Sequence, residues 1–255
     1  MCHGKRDVQR AELHFHLLPD TDDGPLDLDD AVDLARLAVA DGTSVVTVTP
    51  HVRDLLAAGI LDEVPARVRE VQDALDAAGV ALEVRTGAEL AHDDLPALSD
   101  RQLDAVAQGP PGRRWVLIEA PLLGDAAGFL DATVELRARG FGTLIGHPER
   151  CAELMLADGA VAAERAAGAL LQVNASSLTG RHGSDARVWG IELLRSGNAD
   201  LISSDAHGAT RPPQLTQALE VLAAAGMPQA ALEPLVSDAP CSLLSRGIAP
   251  LRHAA

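Results

Sequence analysis

Short apolar segments rich in β-branched residues alternate along the chain with amphipathic segments that each end at a glycine. The predicted strands cover residues 12–16, 44–49, 81–87, 115–119, 142–146, 169–174 and 200–204. The predicted helices cover residues 27–41, 64–78, 125–139, 184–196 and 212–225. Alternation of this kind predicts a parallel sheet covered by helices. We therefore expect an α/β fold, a closed or nearly closed barrel of seven strand–helix units.

The chain shows no break that would divide it into two domains. Its richest cluster of helix- and strand-breaking residues, at 109–112, is only long enough for a loop. We expect a polar N-terminal tail over residues 1–10 and one domain over residues 11–255, although the segment after Pro240 shows no clear pattern. An open doubly wound sheet is the alternative, but no G-x-G-x-x-G sequence follows any predicted strand.

Charge and rare residues exclude several classes of protein. The 21 basic and 37 acidic side chains give a net charge of −16, which argues against nucleic acid or an anionic membrane as a partner. No apolar run is long enough to span a membrane and the N-terminus is polar, so we expect neither a transmembrane helix nor a secretory signal. Tyrosine is absent and Lys5 is the only lysine, which disfavours Schiff-base and P-loop chemistry. Three scattered cysteines fit a reducing compartment, so we expect a cytoplasmic protein.

Histidine and carboxylate side chains stand at the carboxyl ends of almost all the predicted strands, where barrel enzymes build their active sites. They are His14, His16, His51, Glu89, Glu119, His147, Asp205 and His207, and Asp23 follows the first strand. The pairs 14/16 and 205/207 have the spacing that directs two side chains to one face of a strand. Imidazole and carboxylate without thiolate suit Zn, Mn or Fe(II), and nine donors exceed the four of a single zinc ion. The sequence therefore predicts a cluster of two or three metal ions.

The segments that carry these residues resemble the PHP (polymerase and histidinol phosphatase) superfamily over nearly the whole chain. Residues 13–24, Leu-His-Phe-His-Leu-Leu-Pro-Asp-Thr-Asp-Asp-Gly, resemble its H-x-H…D-D-G opening. The further matching segments are Thr49-Pro50-His51, Gly87-Ala88-Glu89, Leu117-Ile118-Glu119, Gly146-His147-Pro148-Glu149-Arg150, residues 173–181, Ser204-Asp205-Ala206-His207 and Arg211-Pro212-Pro213. Within that superfamily, the chain is most similar to the manganese-dependent protein-tyrosine phosphatases of bacterial capsule and exopolysaccharide operons.

The resemblance implies a distorted (β/α)7 barrel with three divalent ions, Mn first and Zn or Fe as alternatives. One ion would be held by His14, His16, Glu89 and Asp205; a second by Glu89, Glu119 and His147; and a third by Asp23, His51 and His207. Asp22 competes with Asp23, and we favour Asp23 because it abuts Gly24. Arg150 and Arg211 stand where the family has arginines that bind phosphate.

The activity implied is hydrolysis of a phosphotyrosine or another aryl phosphate by a metal-bridging hydroxide. Arg150 and Arg211 would stabilise the phosphoryl charge, and His51 or His207 would protonate the leaving group. The implied partners are a phosphorylated protein or a small aryl phosphate, and a bacterial tyrosine kinase. Phe15 and the absence of tyrosine depart from the family, and we expect Phe15 to pack the barrel.

Three alternative functions stay open at this point. A small-molecule phosphatase, such as one acting on histidinol phosphate, could use the same metal cluster, and so could a promiscuous phosphodi- or triesterase. A non-catalytic metal-binding module would be expected to have lost part of the donor set, and none is missing. A cysteine-dependent phosphatase is excluded, because no cysteine begins a Cys-x5-Arg sequence.

Overall fold

The computed structural model describes residues 9–249. The described strands are β1 (Arg10–Phe15), β2 (Thr43–Val48), β3 (Glu83–Arg85), β4 (Glu89–Ala91), β5 (Trp115–Glu119), β6 (Gly142–Gly146), β7 (Leu170–Asn174) and β8 (Leu201–Ser203). The first five described helices are α1 (Leu28–Ala40), α2 (Val52–Ala58), α3 (Val64–Ala77), α4 (Asp100–Val106) and α5 (Ala126–Ala138). The others are α6 (Ala152–Leu156), α7 (Ala160–Ala166), α8 (Ala175–Leu178), α9 (Gly183–Arg195), α10 (Leu215–Ala224), α11 (Gln229–Leu232) and α12 (Asp238–Arg246). Four 3-10 helices lie at Leu61–Glu63, His92–Ala97, Pro148–Arg150 and Glu233–Leu235.

The strands form a closed parallel barrel whose wall consists of two sheets. One sheet has the order β1-β2-β3 and the other β4-β5-β6-β7-β8, and every pairing within them is parallel. A parallel bridge between Phe15 and Ala206 closes one side, and the His16 amide donates to the Ala206 carbonyl at 2.9 Å. A bridge between His51 and Glu89 closes the other side. All the strands therefore present their carboxyl ends at the same rim.

The third strand position is divided into β3 and β4 by the segment 86–88. Gly87 lies against β2 so closely that an added Cβ would stand 2.6 Å from Thr47 Cγ2 and 2.9 Å from the Val48 carbonyl oxygen. Contacts that short require a glycine. The strand thus leaves β2 at Gly87 and joins β5 as β4, which begins with Glu89.

Two apolar clusters occupy the two sides of the barrel wall. The larger cluster lies between the strands and the surrounding helices, and Phe15 is fully buried in it, as expected. The smaller cluster fills the barrel interior, where Leu13 and Trp115 pack with Leu243 and Leu244 of α12. The segment that has no clear pattern in the sequence therefore covers the end of the barrel opposite the rim.

The predicted fold class is confirmed, and most element positions are close. β5 and β6 have the predicted bounds, and α1, α3, α5 and α9 begin and end within one residue of theirs. The sequence did not predict β4 or the helices α2, α4, α6, α7, α8, α11 and α12. The helix expected over 212–225 begins only at Leu215, because Pro212 and Pro213 precede it. Among the described residues, no helix is both long and apolar enough to cross a membrane. Most of the tail predicted over 1–10 lies outside the described residues, and the division into tail and domain stays a prediction.

Candidate metal centre

The nine residues predicted to bind metal all lie at the carboxyl-end rim of the barrel. The parallel pairing brings together side chains that are up to 193 positions apart in the sequence. His14, His16, Glu89 and His147 are each at most 1% exposed. Asp205 and His207 are also buried, whereas Asp23 is more than half exposed. The group therefore has a buried floor and an open edge where a substrate can enter.

Glu89 is the centre of the group. Its Oε2 atom lies 3.1 Å from His14 Nε2, 3.3 Å from His16 Nε2 and 3.2 Å from His51 Nδ1. Its Oε1 atom lies 3.1 Å from His147 Nε2. The two oxygens of one carboxylate thus face four imidazoles from three segments of the chain, as expected of a bridging ligand.

Four overlapping sets of donor atoms could each hold a metal ion. They are His16/Asp23/His51/His207, His14/His16/Asp205, His14/Glu89/His147 and His51/Glu89/Glu119. Each predicted metal ligand belongs to at least one set. A further set, His92/Asp93/Asp125, lies on more exposed residues and was not predicted.

The spacing and chemistry of these donors fit divalent ions. Two donors that each lie about 2.1 Å from one ion, with an angle of about 90–109° between them, stand about 3.0–3.4 Å apart. The observed separations of 3.1–3.4 Å between His14 or His16 Nε2 and the oxygens of Glu89 and Asp205 match this range. His14 Nε2 and His16 Nε2 are themselves 3.3 Å apart, and a cation bound by both would remove the repulsion between their lone pairs.

Electrostatics keeps the buried carboxylates ionised. Burial would raise the pKa of Glu89, but the charge and hydrogen bonds of His14 and the hydrogen bond of His147 hold that pKa well below its ordinary value. Burial likewise opposes ionisation of Asp205, yet His14 and His16 lower its pKa strongly. Hydrogen bonds from His207 and His51 lower the pKa of Asp23. Anionic oxygens are the form that binds a metal ion.

Asp22 and Asp23 take different positions although they are adjacent. Asp23 Oδ1 lies 2.9 Å from His207 Nε2 and 3.5 Å from His51 Nε2, inside one of the donor sets. Asp22 Oδ2 instead accepts from His16 Nδ1 at 2.7 Å, and its Oδ1 accepts from the Gly24 amide. Asp22 therefore orients His16 and leaves His16 Nε2 free for a metal ion. This role for Asp22 was not anticipated from the sequence.

Three arginines stand beside the donor sets. Arg211 donates from Nη1 to Asp23 Oδ2 at 2.9 Å and from Nη2 to Asp205 Oδ2 at 3.3 Å. Arg150 donates from Nη1 to the same Asp205 oxygen at 3.4 Å. Arg53 of α2 lies 4.0 Å from Glu119 Oε2 and was missed by the sequence reasoning, because an arginine on an exposed helical turn has no distinguishing pattern. The two predicted arginines thus converge on one carboxylate.

Two of the predicted metal ligands have left-handed backbone conformations. The φ angle is +36° at His147 and +54° at Asp205. Residues with a Cβ rarely adopt such angles, and those that do cost about 1–3 kcal/mol each and cluster at functional sites. His147 directly follows β6 and Asp205 follows β8 by two residues, so both left-handed conformations lie at the rim of the barrel.

Comparison with known proteins identifies the family of this chain. The family model for capsular polysaccharide synthesis, CpsB/CapC, matches residues 10–245. The chain belongs to the CpsB/CapC family. It is 28% identical over 222 residues to the tyrosine-protein phosphatase YwqE of Bacillus subtilis, covering 83% of each chain. It is 26% identical over 211 residues to CapC of Staphylococcus aureus, covering 82% of this chain and 81% of that protein.

Solved structures of CpsB/CapC proteins and of other barrel hydrolases share the fold. A chain from the structures of YwqE from Bacillus subtilis and CpsB from Streptococcus pneumoniae, which are described as metal-dependent tyrosine phosphatases, has a TM-score of 0.76 and 23% identity. The match covers 96% of this chain and 100% of that one. The phosphotriesterase homology protein of Escherichia coli, solved with phosphate in its active site, has a TM-score of 0.60 and 12% identity, covering 92% and 98% of the two chains.

Proposed function

We propose that this CpsB/CapC-family protein is a metal-dependent phosphatase that hydrolyses aryl phosphates, with phosphotyrosine in a protein as its substrate. The observation that carries the proposal is the convergence of nine side chains that could bind metal, and of two arginines, on one open rim. Membership of the family supports it, as do relatives named tyrosine-protein phosphatase. The side chains that would hold metal and phosphate all face the same mouth.

We further propose three divalent ions, with Mn as the first choice and Zn or Fe as alternatives. The proposed ligand sets are His14/His16/Glu89/Asp205, Glu89/Glu119/His147 and Asp23/His51/His207. The four oxygen–imidazole distances of Glu89 support its sharing between two of these sets. Each imidazole nitrogen has one lone pair, so a histidine serves one ion, whereas a carboxylate can serve two.

The charge of the loaded site favours a phosphate monoester. Three divalent ions carry about +6, and four ionised carboxylates carry about −4. Arg150 and Arg211 raise the sum of about +2 to about +4, which suits a dianion. The bound ions would supply charge for the phosphoryl oxygens and a water acidified toward neutral pH.

The protein's own side chains have the remaining tasks in this proposal. Arg150 and Arg211 would exchange their contacts with Asp205 and Asp23 for the phosphoryl oxygens, where charge accumulates in the transition state. His51 or His207 could protonate the leaving group only while the histidine itself is not bound to the third ion. His51 is better suited, because its side chain is 23% exposed and that of His207 only 3%. A tyrosyl leaving group with a pKa of about 10 needs little protonation.

The experiment that tests this function compares substrates under identical conditions. The Mn-loaded protein is given a phosphotyrosine peptide, para-nitrophenyl phosphate, histidinol phosphate and a bis-aryl phosphate. We expect the two aryl monoesters to be hydrolysed fastest, with the advantage in kcat more than in KM, because leaving-group stability acts on the transition state. Faster hydrolysis of histidinol phosphate would assign the protein to small-molecule metabolism, and faster hydrolysis of the diester would make it a phosphodiesterase.

The cellular setting is also a proposal. A bacterial tyrosine kinase would supply the phosphoprotein substrate, and both proteins would act in the cytoplasm. The support is indirect: the scattered cysteines fit a reducing compartment, and the acidic chain is a poor match for nucleic acid.

A further inference from the structure

β7 is the strand of the barrel whose predicted end carries none of the predicted metal ligands. It nevertheless ends at the same rim, between β6 and β8. Two of its side chains, Gln172 and Asn174, are fully buried polar groups with 0% exposure. Burying two amides in a barrel is costly unless each finds specific partners. Their partners are residues of the metal centre.

A continuous chain of hydrogen bonds runs through these two amides. His14 Nδ1 lies 3.0 Å from Gln172 Oε1, and Gln172 Nε2 donates to Asn174 Oδ1 at 2.8 Å. Asn174 Nδ2 then donates to Asp205 Oδ2 at 2.8 Å. The other ends of the same two ligands also meet, because His14 Nε2 lies 3.3 Å from Asp205 Oδ1. The hydrogen bonds therefore link His14 Nδ1 to Asp205 Oδ2, while the opposite atoms of the same two side chains, Nε2 and Oδ1, face each other within one donor set.

The direction of every bond in this chain follows from the carboxylate at its end. An ionised Asp205 can only accept, so Asn174 must present its amide nitrogen to it and its oxygen to Gln172. Gln172 must then donate to Asn174 and present its own oxygen to His14. An amide oxygen only accepts, so His14 must carry its proton on Nδ1. The lone pair of His14 is thereby fixed on Nε2, the atom that faces Glu89 and Asp205.

We propose that Gln172 and Asn174 are positioning residues that couple His14 to Asp205 and set the metal-binding tautomer of His14. Neither residue belongs to any of the candidate donor sets. They hold both ligands in place through the atoms that face away from the ion, and partners of that kind are worth about 10–100-fold in metal affinity. This inference concerns the metal centre of the proposed function, but its test does not require the enzyme to be active.

The hydrogen-bonded amides lie close to the backbone of the neighbouring strand. A Cβ added at Gly146 would lie 3.6 Å from His14 Nδ1 and 3.7 Å from Gln172 Oε1, so this bond runs directly beneath the β6 backbone. The backbone amide of Asn174 is also occupied, because it donates to Glu149 Oε1 at 3.0 Å. Residues of β7 thus form hydrogen bonds with His14 of β1, with Glu149 after β6 and with Asp205 after β8, next to the metal centre.

The test measures metal affinity and stoichiometry in Gln172→Leu and Asn174→Asp variants of the full chain. Gln172→Leu removes both bonds of the amide, and Asn174→Asp keeps an acceptor for Gln172 but faces Asp205 with a second carboxylate. We expect both to bind Zn²⁺ or Mn²⁺ about 10–100-fold more weakly at one site, measured by competition with a chelator. A ¹⁵N NMR spectrum of the Zn-loaded wild type should show the proton of His14 on Nδ1.

Gln72→Leu is the matched control. Gln72 also accepts one hydrogen bond, from the Val84 amide at 2.8 Å, and donates to the Leu82 carbonyl, but it lies on α3 outside the metal centre. We expect it to lower the free energy of unfolding without changing metal affinity. Wild-type metal affinity in both test variants, or a His14 proton on Nε2, would overturn the proposal. If the wild type bound ions tightly but hydrolysed no phosphate ester, the proposed function would fail while this inference stood.

Discussion

Glu89→Gln should damage metal binding more than any change to a single histidine of the centre. The substitution keeps the size of the side chain and removes its charge. In the structure the two oxygens of Glu89 lie 3.1–3.3 Å from four imidazole nitrogens, and the side chain belongs to two of the four donor sets. An amide offers one good ligand atom instead of two, so one of the two ions loses a ligand and both lose a neutralising charge.

The magnitude follows from the burial of the site. Removing one partner of a buried charge pair costs about 3–5 kcal/mol. Because about 1.4 kcal/mol corresponds to a factor of ten, we expect affinity for the shared ions to fall by about a hundred- to several-thousand-fold. His16→Gln should cost less, because the single lone pair of His16 Nε2 serves one ion and its loss removes no charge.

The assay is metal analysis of each purified variant after gel filtration, followed by titration with Mn²⁺ and Zn²⁺ while hydrolysis of para-nitrophenyl phosphate is recorded. We expect Glu89→Gln to lose two ions and His16→Gln one. Circular dichroism checks that both variants are folded. Wild-type metal content in Glu89→Gln would refute the reasoning, because Glu89 would then be a structural carboxylate rather than a bridge.

Four further predictions concern the site and the barrel. Chelation should abolish hydrolysis and added Mn, Zn or Fe should restore it, and fewer than two ions per active chain would contradict the cluster. Arg211→Ala should weaken phosphate-ester binding by about 1.5–3 kcal/mol while metal content stays constant, and unchanged kinetics with a dianionic monoester would remove Arg211 from the phosphate site. Gly87→Ala should lower the free energy of unfolding, measured in urea, by about 1–3 kcal/mol, because the added Cβ would stand 2.6 Å from Thr47 Cγ2. Wild-type stability in this variant would mean that the strand can shift to make room. Burial raises the pKa of Glu12 to about 7 from 4.5, so the contribution of Glu12 to stability is present below pH 4.5 and is lost as pH rises through 7. The free energy of unfolding of Glu12→Gln, measured in urea relative to wild type, should therefore increase by about 3 kcal/mol over that pH range. A constant difference would show that Glu12 does not titrate there.

The sequence predicted the parts of the structure that depend on local patterns. Periodicity and glycine stop signals gave the bounds of β5 and β6 and the ends of four helices, because apolar spacing and helix termination are properties of short segments. The donor residues could be found for the same reason, because most of them lie on or within two residues of an apolar strand. That they converge follows from parallel topology alone, which brings all carboxyl ends of the strands to one rim.

The features that could not be predicted depend on contacts between distant segments. The split of the third strand depends on how closely Gly87 approaches β2, and this distance cannot be predicted from the residues near position 87. α12 covers the barrel end through Leu243 and Leu244, whose partner Trp115 is more than a hundred residues away. Asp22 and Asp23 are chemically identical, and only the fold turns one toward His16 and the other toward His207.

The left-handed backbone at His147 and Asp205 limits how the protein can be stabilised. Glycine tolerates these angles without the steric cost of a Cβ, so His147→Gly and Asp205→Gly would relieve backbone strain at both positions. Each replacement would also delete a side chain of the metal centre. Asp205→Gly would leave His14, Arg150 and Arg211 without a charge partner, which costs about 3–5 kcal/mol and outweighs the strain of about 1–3 kcal/mol. The two strained turns are therefore held in place by the contacts of their own side chains, and glycine cannot remove the strain at a net gain in stability.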